Sequence, residues 1–128
     1  MRLDGDAAST GASFSRADRI RSASDYSRAR RLGVRRSGRR FTVIVAPGQG
    51  VRGRIGIAVP RQVGNAVVRN RLRRLVREYF RTRRDEFPDG KDVIVVPRPG
   101  VGWLRLRDLT EIGALVREAC SPRPRRSG

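Results

Sequence analysis

The sequence predicts an α+β fold, a two-layer α/β sandwich in one domain with the element order α-β-β-α-β-α. Three observations carry that expectation. Residues 41–46, 54–59 and 92–97 are short β-rich runs bounded by turn residues. Residues 65–84 and 106–119 place apolar side chains at steps of three and four, the period of a helix with one buried face. A chain of 128 residues is long enough for one modest core and too short for two.

Taken in order, residues 1–18 are rich in Gly, Ala, Ser and Asp without hydrophobic period, the composition of a disordered leader. Ser24 is placed to cap a short helix that runs to about Arg31 and is closed by Gly33. The run 41–46 ends at Pro47-Gly48, and in 54–59 Ile55, Ile57 and Val59 alternate with Gly56 and Ala58. The link between them, 47–53, carries three glycines and suits a hairpin loop. The helix 65–84 stops before the breaker Pro88-Asp89-Gly90. The run 92–97 is apolar beyond Asp92 and reads as a central strand, ended by Pro99-Gly100. A last helix, 106–119, sets Leu109, Ile112, Leu115 and Val116 on one side, and 120–128 form a basic flexible tail.

Charge bounds the function. The formal charge of +18 comes from 30 basic and 12 acidic residues, and Lys91 is the only basic residue that is not arginine. Between Tyr26 and Arg84 eighteen arginines face a single acid, Glu78. A compact body with that field repels itself unless a polyanion neutralises it, so nucleic acid is the favoured partner. Arginine suits phosphate, because its planar guanidinium donates two parallel hydrogen bonds and stacks on bases. There is no histidine, no tight acidic cluster and one cysteine, Cys120, which reads as a small apolar residue on a terminal helix. Those facts argue against protein-based acid–base, nucleophilic or metal-centred catalysis. The lone cysteine also means no disulfide framework, in keeping with a reducing cytoplasm. No apolar run approaches the roughly 20 residues that span a bilayer.

The helix at 65–84 concentrates this chemistry. Val68, Leu72, Leu75, Val76, Tyr79 and Phe80 make a stripe fit to bury against a sheet. Arg69, Arg73, Arg77 and Arg81 form a ridge at intervals of four, with Arg71 and Arg74 beside it. Like charges so spaced repel by a few tenths of a kcal/mol per pair, and only Glu78, four residues after Arg74, offers a partner within the helix. Such a surface serves an external anion. Asn70 can donate and accept, which suits a ribose or a base edge and equally an incidental surface position. On these residues alone, a structural RNA-binding protein and a DNA reader remain alternatives. A groove-reading helix, however, presents more base-edge readers than Asn70 alone.

The segment from Gly64 to Glu78, with Arg69-Asn70-Arg71 at its centre, resembles the signature of the bacterial ribonuclease P protein subunit. The strand at 54–59, the first helix with Asp25-Tyr26 and Gly33, and the strand at 92–96 are similar to the same family, so the likeness spans about 19–119 as a single RNA-binding domain. The resemblance implies a ribosomal-protein-S5-domain-2-like fold with a left-handed βαβ crossover, against the general rule. It further implies a cytoplasmic ribonucleoprotein that removes the 5′ leader of precursor tRNA, with catalysis and its magnesium ions belonging to the RNA subunit and none held by the protein. The implied partners are ribonuclease P RNA, in a 1:1 complex, and precursor tRNA. Arg61, Arg69, Asn70, Arg71, Arg73, Arg74 and Arg77 would face the catalytic RNA, and Tyr26, Arg30, Phe41 and Ile44 would line a cleft for the leader, with plain core packing an equal alternative for Tyr26 and Phe41. Arg30 stands where the family commonly has a second aromatic, which implies a charged or cation–π contact there. Ile44 stands at a strand position that is often aromatic, and Gln62 at one that is commonly basic.

Overall fold

The computed structural model describes residues 19–20, 22–48, 53–101 and 103–120. The leader at 1–18, the tail beyond Cys120 and part of the link at 49–52 lie outside them. The elements are α1 (Ala23–Leu32), β1 (Val34–Ser37), β2 (Phe41–Pro47), β3 (Arg54–Ile57), α2 (Ala66–Thr82), β4 (Lys91–Pro97) and α3 (Thr110–Cys120). Helix α1 starts two residues earlier than expected, because Ser22 rather than Ser24 is the cap. Its hydroxyl accepts from the Asp25 amide at 3.0 Å. Cys120 closes α3 instead of opening a tail, and it is exposed rather than packed.

The four strands form one mixed sheet in the order β1-β2-β4-β3. Strand β4 is central, as its apolar run predicted, pairing antiparallel with β2 and parallel with β3. The hairpin expected between β2 and β3 does not exist, because β4 lies between them. A glycine-rich link permits a tight reversal without requiring one. A strand apolar on both faces gains most by filling the place between two others. Strand β1 is an element the sequence did not announce. Its Val-Arg-Arg-Ser composition is polar because it is an edge, paired only with β2. Before β4 the chain turns through Gly90, whose φ of 74° is a left-handed conformation that favours glycine.

Strand alternation divides the core in two. Phe41, Val43, Val45, Ile55, Val93 and Val95 pack with Leu72, Val76, Tyr79 and Phe80 of α2 and with Leu109, Ile112, Leu115 and Val116 of the last helical segment. This is the two-layer body. On the opposite face Ile44, Ala46 and Ile94 pack beneath Ala29 of α1, with Ile20 beside them and Tyr26, Ala58 and Val96 half-buried at the margin. Arg54 fastens α1 to the sheet. Its Nε and a terminal nitrogen donate to the two Asp92 carboxylate oxygens at 3.0 and 2.8 Å, and its other nitrogen donates to Asp25 at 3.3 Å. Asp92 is only 2% exposed, and this fork supplies the partner a buried carboxylate needs. The Asp92 hydrogen bond is the foremost influence raising the Arg54 pKa.

Candidate nucleic-acid interface

Helix α2 begins where the Asn65 side chain accepts from the Val68 amide at 3.0 Å, and Leu72, Val76, Tyr79 and Phe80 turn inward. With that face committed to the core, the arginines sort themselves at 100° per residue. Arg69, Arg73 and Arg77 fall along one flank, half-buried beside β3. Asn70 and Arg74 point outward and are exposed. Arg71 lies on the other flank, where a terminal nitrogen donates to the Leu104 carbonyl at 2.7 Å and the guanidinium stacks 4.2 Å from the Trp103 ring centroid. The single basic face read from sequence is therefore two flanks and a crest.

Pairing separates the arginines further. Glu78 turns to Arg81, three residues on, and accepts at 2.6 and 3.1 Å, so it does not partner Arg74. That hydrogen bond is the main cause of a raised Arg81 pKa. Arg69 instead donates to the Gly64 carbonyl at 2.6 Å and Arg73 to the Asn70 side-chain oxygen at 3.0 Å, neither a charged acceptor. Among the described residues no carboxylate forms an ion pair with Arg69, Arg73, Arg74 or Arg77. Partial burial, then the nearby charges of Arg19 and Arg73, lower the Arg77 pKa. The guanidinium remains protonated, and its neighbours leave it in want of an anion. Arg61 is exposed in a short turn, Arg61–Val63, just ahead of α2.

This flank runs directly into the face that carries α1. A cavity of about 60 Å³ is lined by Arg19, Tyr26, Gly56, Arg73 and Arg77 among others, so the first helix, the β3 edge and α2 meet there. Tyr26 is fixed by the Ile57 amide, which donates to its hydroxyl at 3.0 Å. Its ring lies on Gly56, where any Cβ would come within 2.7 Å of the phenol oxygen and 2.9 Å of ring carbons. Arg30 sits over the outer side of the ring, 5.9 Å from its centroid, a cation–π contact of the kind anticipated from its position.

Two of the cleft residues are not where the sequence reading put them. Phe41 is fully buried on the opposite sheet face, against α2 and α3, so it offers no ring to a ligand. Ile44 is on the Tyr26 face but buried under α1, where Gly33 passes so close that a Cβ there would lie 2.4 Å from an Ile44 methyl. Residues 41 and 44 differ by an odd number along one strand and cannot share a face. The half-buried residues that accompany Tyr26 at the margin of this smaller cluster are Ala58 and Val96, and Arg30 lies over the Tyr26 ring. Arg19 was also missed, because it precedes any periodic element.

Cys120 is exposed as a residue, yet partial desolvation of its thiol raises the pKa, with Lys91 acting in the opposite direction, so the group is not an activated thiolate. The nearest carboxylates, Asp25 and Asp92, are bound by Arg54. No helix among the described residues is long and apolar enough to cross a membrane.

A mixed sheet that sets arginines without carboxylate partners beside a fixed tyrosine has the chemistry of a nucleic-acid-binding protein. Comparison with known proteins makes this specific. The family model described as Ribonuclease P matches residues 14–119. The ribonuclease P protein component of Syntrophus aciditrophicus is 31% identical over 102 residues, covering 79% of this chain and 86% of that protein. The structure of the Staphylococcus aureus RNase P protein superposes with a TM-score of 0.72 at 27% identity, over 82% of this chain and 97% of that one. The RNase P protein from Thermotoga maritima does so at 0.69 and 30%, over 77% and 96%. The chain belongs to the ribonuclease P protein family, the protein component of the tRNA 5′-processing ribonucleoprotein whose partner is ribonuclease P RNA.

Proposed function

We propose that α2 binds the catalytic RNA while the face carrying Tyr26 receives the single-stranded leader of precursor tRNA. On this reading Arg69, Arg73 and Arg77, with Arg61 and Arg74, neutralise phosphates, and Asn70 touches a ribose or base edge. The observation that carries it is that Arg73 and Arg77 of that flank line the Tyr26 cavity, with no carboxylate among the described residues that line it. An extended strand suits the surface of Tyr26, Ala58 and Val96, since an aromatic face stacks bases with little sequence preference while arginines follow the backbone. Arg30 completes the platform from above. Phe41 and Ile44 support it from within and do not touch the leader.

Hydrolysis and its magnesium ions belong to the RNA subunit, and this chain's role is to hold both RNAs in register. One protein per RNA is expected, acting in the cytoplasm where precursor tRNA is made. Reconstitution with the cognate ribonuclease P RNA, at low magnesium, tests the reading. The protein should raise 5′ cleavage of precursor tRNA and tighten its binding more than that of leaderless tRNA. If cleavage and affinity are both unchanged by the protein, the reading fails.

A further inference from the structure

Trp103 is the only tryptophan in the chain, and it is 62% exposed. An indole is large and mostly apolar, and it normally sinks into a core or an interface. Here the core takes its neighbour Leu104 and leaves the ring outside, supported by Arg71. Arg71 is itself anchored by its hydrogen bond to the Leu104 carbonyl, so the stack is built onto the backbone. One turn earlier on the same flank of α2, Val67 is 67% exposed. The surroundings are basic. Arg74, Arg105 and Arg107 are exposed, and the carboxylate of Asp108 accepts from the Arg105 amide at 2.8 Å. The loop leading to Trp103 also lines a cavity of about 190 Å³ with Arg39 and Arg40.

We propose that Trp103, backed by Arg71, stacks on an unpaired base of the catalytic RNA, carrying the RNA contact around α2 from the Arg69–Arg73–Arg77 flank to the loop before α3. The idea rests on membership of the ribonuclease P family and adds a contact that phosphate neutralisation does not supply. A base presents what this site lacks, a flat π-face to cover the indole and an attached phosphate for the arginines beside it. A second copy of the chain would bring Arg74, Arg105 and Arg107 against like charge, which disfavours self-association as the explanation.

Because Trp103 is the sole indole, its emission reports the contact directly. Titrating the full chain with its ribonuclease P RNA, without precursor tRNA, should quench that emission to saturation. Trp103→Ala should weaken affinity by about 5- to 150-fold, the range for losing one base–aromatic stack. The slope of log affinity against log salt should stay the same, since no phosphate contact is lost. Trp103→Phe should restore much of the affinity. Unaltered emission together with unaltered affinity of Trp103→Ala overturns the proposal, while wild-type stimulation of cleavage in the same preparation leaves the family function standing. Quenching by leader-bearing precursor tRNA but not by the catalytic RNA overturns the choice of partner. Quenching that follows protein concentration without RNA assigns the ring to self-association instead. A loss of affinity with a shallower salt slope or a lower thermal midpoint would mean that the substitution acted by releasing Arg71, and would likewise overturn the stack.

Discussion

Arg73→Ala and Arg81→Ala remove the same charge from the same helix, eight residues apart, yet the structure separates their effects. Arg73 is held by a neutral oxygen on Asn70, so its charge is available to a phosphate. Arg81 is bound at two nitrogens by Glu78, and its charge is already matched. Each phosphate contact adds about 0.7–0.9 to the slope of log affinity against log salt. Arg73→Ala should therefore flatten the slope for ribonuclease P RNA by about that amount. Extrapolated from 1 M to 0.15 M salt, the same increment is about a four- to sixfold loss of affinity, or about 1 kcal/mol. Arg81→Ala should leave the slope where it was. The assay is equilibrium binding over a salt series, with circular dichroism to verify that both variants are folded. An unchanged slope for Arg73→Ala, or an equal change for the two, would refute the claim that side-chain pairing selects the RNA-binding arginines.

Two further outcomes follow from the packing around Tyr26 and Tyr79. Gly56→Val places a Cβ where the Tyr26 ring now lies, so the ring must move; affinity for precursor tRNA should fall by about 5- to 150-fold, the worth of one stacked base, while leaderless tRNA binds as before. A matching loss for both substrates would count against the leader surface. Tyr79 has its pKa raised, chiefly by burial and then by its hydrogen bond to Glu86. A phenol with a raised folded pKa contributes stability that is complete below the unfolded value near 10 and declines as pH climbs above it. Thermal stability should therefore drop above about pH 10 in the wild type. Tyr79→Phe should weaken that dependence, and at neutral pH it should cost about 1–2 kcal/mol by leaving Glu86 without its donor. An alkaline profile identical in the two proteins would defeat this assignment.

How far the sequence could be read depended on which residues carried the signal. Val93 to Val96 required a strand with neighbours on both sides, and the stripe from Val68 to Phe80 required a helix with one dry face. Both are burial signals, and burial is what a hydrophobic pattern records. Strand β1 left none, because Arg35 and Arg36 on an exposed edge resemble loop residues. The pairing of β3 with β4 was also hidden, since partner choice depends on contacts distant in sequence that a glycine-rich link does not reveal. At the site, the arginine-rich helix was legible as chemistry but not as geometry. Nothing in the order of residues said that Glu78 would choose Arg81, or that Arg71 would cross to Trp103. The misplacement of Phe41 was different in kind, because the two-residue period of a strand already excluded it from the face that holds Ile44.

The economy of α2 follows from comparing magnitudes. Its like-charged neighbours cost only a few tenths of a kcal/mol per pair. Burying a side chain such as Leu72, Val76 or Phe80 yields about 1.5–3 kcal/mol each. The inner stripe therefore holds the helix against the sheet without help from its surface, and the surface need not be tuned for the helix. That is why Arg69, Arg73 and Arg77 can stand beside one another with no carboxylate between them, a pattern that an isolated helix would tolerate poorly. Partial burial adds to the effect, since it lowers the dielectric around these groups and raises the value of an arriving phosphate. Arg54 marks the contrasting case, a guanidinium fully occupied by Asp92 and Asp25 whose work is to hold α1, and with it Tyr26, against β3. The protein thus uses arginine in two ways that composition cannot distinguish: Arg54 is held by two carboxylates and fastens the frame, while Arg69, Arg73 and Arg77 stand along one flank of α2 without a carboxylate partner, where an anion would find their charge unmatched.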